Sequence, residues 1–103
     1  MVISNLVQGG IGQVKGPFGE NESVIFSTSS SGGRPPVLKL GISIDEKDLM
    51  TYGWAFPVSI DNVAITIGST GRYELENDIT IDTIIFPLGA PASVIIDYVV
   101  LDI

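Results

Sequence analysis

Apolar residues recur at every second position in short runs along this chain, and each run is closed by a cluster of Gly, Pro, Asn, Asp or Ser. The candidate strands are 2–7, 23–28, 37–44, 52–60, 63–67, 72–76, 79–86 and 93–102. Between them stand "QGGIGQVKGPFGEN", "SSSGGRPP", "DEKDLM", "DN", "GSTG", "ND" and "PLGAPA". No longer stretch carries an apolar stripe at helical period, and "DEKDLM" is compatible with one helical turn. The pattern predicts an all-β domain: an antiparallel β-sandwich or jelly roll of about eight short strands.

Two runs raise questions of their own. The terminal run "SVIIDYVVLDI" puts Val94, Ile96, Tyr98 and Val100 on one face and Ser93, Ile95, Asp97, Val99, Leu101 and Ile103 on the other. Both faces are largely apolar, whereas a two-layer domain covers each sheet on one face only. The face with the charge is the expected outer one, so Ile95, Asp97, Val99, Leu101 and Ile103 form a candidate interface with another copy of the chain. Under such a cover Asp97 needs a hydrogen-bond partner, from a neighbouring subunit's backbone or from Arg72.

The run "YGWAFPVSI" sets Tyr52, Trp54, Phe56, Val58 and Ile60 on one face against Gly53, Ala55, Pro57 and Ser59 on the other. Its bulky face is expected to be the core face of a strand. The alternative is an aromatic platform for a sugar ring, with Tyr52 and Trp54 as the glycan contacts of a carbohydrate-binding module. Pro57 places this strand at a sheet edge or a bulge, since proline cannot donate to a ladder on both sides.

Composition narrows the chemistry. The 15 Ile and 10 Val against 7 Leu favour strands, and 103 residues suffice for a single domain. Residues 1–20 are glycine-rich and are expected to form a flexible arm ahead of the sandwich. The chain has no Cys and no His, the residues on which nucleophilic triads and metal-activated hydrolysis usually lean, so a non-enzymatic protein without cofactor or metal is expected. "DEKD", 45–48, gathers three carboxylates, yet Lys47 sits among them and no turn glycine follows, which reads as a solvated turn rather than a calcium loop. "GGIGQVKG" has Lys15 where a dinucleotide fingerprint needs its third glycine.

Charge excludes one partner class. The net charge is −7, and Lys15, Arg34, Lys39, Lys47 and Arg72 are scattered, which argues against binding a nucleic-acid backbone. No run approaches the roughly 20 apolar residues of a membrane-spanning helix. The N-terminus lacks the basic start and apolar run of a signal peptide, so secretion by that route is not expected.

The C-terminal third carries a resemblance. Ile81, Ile84 and Phe86 form an "I-x-x-I-x-F" segment, Gly89 to Ser93 form a turn rich in Gly, Ala, Pro and Ser, and Ile96, Asp97 and Tyr98 form an "I-D-Y" near a strand end. This resembles the closing strands of small β-sandwich structural proteins of bacteriophage virions, of capsid-decoration, tail or fibre type. The resemblance implies a homo-oligomer, with a trimer favoured, whose partners are itself and other virion proteins, with neither nucleic acid nor membrane. It also implies a place in a virion assembled in the host cytoplasm, and no catalytic residue.

Overall fold

A computed structural model describes residues 4–7, 10–26, 37–79, 81 and 83–100. Its strands are β1 (Ser4–Val7), β2 (Gly10–Lys15), β3 (Glu22–Phe26), β4 (Val37–Ser43), β5 (Phe56–Ile60), β6 (Val63–Ile67), β7 (Arg72–Ile79), β8 (Thr83–Phe86) and β9 (Ile95–Val100), with one short helix, α1 (Glu46–Thr51), between β4 and β5. The fold is all-β, as the alternation of the sequence predicts.

Two sheets form a sandwich, a five-stranded one in the order β1-β3-β8-β5-β6 and a four-stranded one in the order β2-β9-β4-β7. From β2 onward the chain crosses to the opposite sheet at every step except the β5–β6 hairpin. That connectivity is the jelly roll of the two expected alternatives. All the pairings among β2 to β9 are antiparallel, whereas β1 runs parallel to β3 at the edge of the larger sheet.

The core is built by period-two alternation from both layers. Val24, Phe26, Phe56, Val58, Ile60, Ile67, Ile84 and Phe86 of the larger sheet meet Leu40, Ile42 and Ile96 of the smaller, all buried. Phe26 meets Tyr98 edge-on across the two layers, ring centroids 5.7 Å apart. Phe86 stacks on Phe18 at 4.6 Å and lies 6.1 Å from Phe56. Ile81, Ile84, Phe86 and Ile96, the apolar positions of the C-terminal resemblance, are all core residues.

The chain departs from the sequence reading at four places. Gly10–Lys15, assigned to a glycine-rich arm, is instead β2, paired with β9 over its whole length. Its glycines hide the alternation, because Gly12 stands at an inward position filled by its neighbour: a β-carbon there would lie 2.9 Å from the Tyr98 hydroxyl oxygen. The strand expected to begin at Tyr52 begins at Phe56, since α1 takes Asp45 as its N-cap and ends at Tyr52, with Gly53 and Trp54 following in left-handed conformation (φ 67° and 63°).

Pro57 lies in an interior strand rather than at an edge. The β8 partners of β5 begin only at Ser59, so no strand runs beside Pro57 where its missing N–H would point. Finally, Ile79 ends β7 instead of opening the next strand, which starts at Thr83. The "SSSGGRPP" segment, Leu101 and Ile103 lie outside the described residues.

Candidate functional site

The outer face of the four-stranded sheet gathers most of the charged side chains near β9. Register aligns them in rows running across the strands. Gln13 on β2, Asp97 on β9, Gly41 on β4 and Glu74 on β7 form one row. Ile11, Val99 and Lys39 form the row on one side, and Lys15, Ile95, Ser43 and Arg72 the row on the other. Because successive side chains alternate faces, this is the side away from Ile96 and Tyr98.

The polar groups of the central row pair with one another and with Arg72 of the adjacent row. The Gln13 side-chain amide (Nε2) donates to Asp97 Oδ1 at 2.6 Å. Arg72 Nη1 lies 3.8 Å from Asp97 Oδ2, and Arg72 Nε donates to Glu74 Oε1. The hydrogen bond from Arg72 holds the Glu74 carboxyl below its ordinary value, and the same bond raises the Arg72 guanidinium. Lys39 and Arg72 offset Glu74 and Asp97, so the local charge is near balance in a chain that is strongly acidic overall.

An open groove of about 400 Å³ runs over this row, walled by Ile11, Val99, Gln13 and Arg72 among others. Gly41 makes its floor, and Arg72 crosses over that glycine to reach Asp97. Ile11 is the most exposed large apolar side chain among the described residues, at 82%.

The structure describes three of the residues expected at an interface. Ile95, Asp97 and Val99 share the outer face, as their spacing predicts, while Val94 and Ile96 are buried on the inner one. Arg72, one of the two expected partners of Asp97, meets it within the same chain. A further partner, Gln13, comes from β2, where the sequence predicts a flexible glycine-rich arm and so offers no partner. The face is also less apolar than the β9 sequence alone suggests, because β2, β4 and β7 bring polar residues beside it.

Tyr52 and Trp54 lie ahead of β5 rather than on it. Tyr52 ends α1 and packs edge-on against Phe56, ring centroids 4.8 Å apart, whereas Trp54 is 39% exposed on the turn beyond it. Two of the three "DEKD" carboxylates have structural partners. Asp45 Oδ2 accepts from the Lys47 N–H, Ser93 Oγ donates to Asp48 Oδ2 at 2.6 Å, and the same Oγ accepts from the Asp45 N–H at 3.2 Å. These bonds tie the α1 loop to the entry of β9.

No protein-family model, no curated protein and no solved structure matches the chain.

Proposed function

We propose that this chain is a non-enzymatic structural and interaction protein, a component of a larger particle such as a bacteriophage capsid or tail, that assembles as a homo-oligomer through the outer face of its four-stranded sheet. The reading is carried by one observation. Ile11, Ile95 and Val99 flank Asp97, Arg72 and Glu74, which are already paired inside the chain, so a neighbouring copy can cover these three groups without stranding their charges. The virion setting and the trimer rest on the resemblance of the C-terminal third. The absence of His and Cys supports a role without catalysis.

Val99→Lys tests the reading. Under a neighbouring subunit, an ammonium without a partner costs several kcal/mol, whereas at an exposed position the change stays within about 0.5 kcal/mol. Sedimentation of both proteins, with circular dichroism to check folding, is expected to show an oligomeric wild type and a folded variant of lower assembly state. A wild type that stays monomeric at high micromolar concentration overturns the proposal. A change in Trp54 fluorescence across a panel of sugars would favour the carbohydrate-binding alternative instead.

A further inference from the structure

The edge of the larger sheet carries a second, independent inference. Among the described strands β6 has β5 on one side and none on the other. The backbone groups that face the open side follow from the hairpin. Asp61 and Asn62, with φ of 48° and 68°, make the two-residue turn between β5 and β6.

The Asp61 N–H donates to the Thr83 carbonyl at 2.9 Å, so the backbone groups of 57, 59 and 61 point towards β8 and those of 58 and 60 towards β6. The register Ile60↔Val63, Val58↔Ile65, Phe56↔Ile67 then turns the groups of Val63, Ile65 and Ile67 to β5. The N–H and C=O of Ala64 and Thr66 are left directed outward.

This edge lacks the usual protection. Natural edge strands are blunted by charges, prolines or bulges. β6 has none of these: its pairing with β5 shows no register shift, and no charged residue or proline occurs from Asn62 to Thr70. The edges of the smaller sheet, by contrast, carry Lys15 on β2 and Arg72 and Glu74 on β7. The side chains of Ala64 and Thr66 are small and exposed, and Val63 is 63% exposed. Copies of a chain with net charge −7 repel one another, which favours contact along a strand that carries no charge.

We propose that β6 pairs antiparallel with β6 of a second copy, about a two-fold axis passing through Ile65. Ala64 then stands opposite Thr66 of the other copy, and each outward N–H and C=O of these residues finds its partner in a hydrogen-bonded pair. Two five-stranded sheets become one continuous sheet. The contact lies on a different strand and a different layer from the groove face, so it stands or falls without that reading.

Amide hydrogen exchange and sedimentation, both followed over a dilution series, test it. The Ala64 and Thr66 amides are expected to be protected in concentrated wild type and to lose protection on dilution. Thr66→Pro removes one outward donor and spares the ladder to β5, and Thr66→Lys places a charge on the edge. Either is expected to weaken dimerisation about tenfold or more. Should Thr66→Pro unfold, Thr66→Lys and the wild-type exchange data still decide. Amides at 64 and 66 that exchange equally at all concentrations overturn the proposal. So does association that Thr66→Lys leaves intact and Val99→Lys abolishes, which would assign the contact to the groove face alone.

Discussion

Arg72 reaches Asp97 from the far side of an intervening strand: its Nη1 lies 3.8 Å from Asp97 Oδ2, and its guanidinium fills the space above Gly41, where a β-carbon would stand 2.6 Å from Nη2. The missing side chain on β4 is what lets residues on β7 and β9 meet.

Gly41→Ala is therefore expected to push the flexible end of Arg72 away from Asp97 at small cost, about 1 kcal/mol or less, because the displaced group is exposed and the ion pair is screened by solvent. A double-mutant cycle with Arg72→Ala and Asp97→Ala gives the coupling energy, expected below about 1 kcal/mol in the parent protein and near zero in the Gly41→Ala background. Undiminished coupling in that background would show that Arg72 does not need the open path.

Gly89→Ala is expected to behave in the opposite way. Gly89 has φ 74°, and a β-carbon there would lie 2.7 Å from the Phe18 carbonyl oxygen and 3.1 Å from the Gly19 carbonyl carbon, which are backbone atoms. Phe18 cannot retreat freely, since its N–H donates to the Ala90 carbonyl at 2.9 Å and its carbonyl accepts from the Ala90 N–H at 2.8 Å. Strain and clash together should cost about 1–3 kcal/mol in urea unfolding. A loss within about 0.5 kcal/mol would contradict this geometry.

Glu74 predicts a modest pH dependence. The hydrogen bond and charge of Arg72 hold its folded-state pKa below the unfolded one. The stabilisation is thus fully present above the unfolded value and is lost as the pH falls through the folded one. Glu74→Gln should be slightly less stable than wild type at neutral pH, with the difference vanishing in acid below the ordinary carboxylate range. Unfolding curves at the two pH values check it, and a difference that grows in acid would reverse the sign and refute the pairing.

Much of the fold was legible in the sequence because alternation and turn chemistry are local. Val63–Ile67 has the bounds its pattern predicts, the "DN" pair between two apolar runs makes the hairpin turn, and "DEKDLM" holds most of the short helix α1. The division of the terminal run into an inner row led by Val94 and Ile96 and an outer row of Ile95, Asp97 and Val99 also follows from spacing alone. Tertiary structure decided what spacing does not encode. Gly10–Lys15 becomes a strand because β9 offers it hydrogen bonds and the Tyr98 ring occupies the space that Gly12 leaves empty, a compensation made by a residue near the other end of the chain. The partners of Asp97 come from β2 and β7, which approach β9 from the two opposite edges of the sheet only through the crossover order of the jelly roll, so the charge row is a property of the sheet and of no single segment. Pro57 shows the same division: its missing donor is local chemistry, but that it can occupy an interior strand depends on where β8 stops.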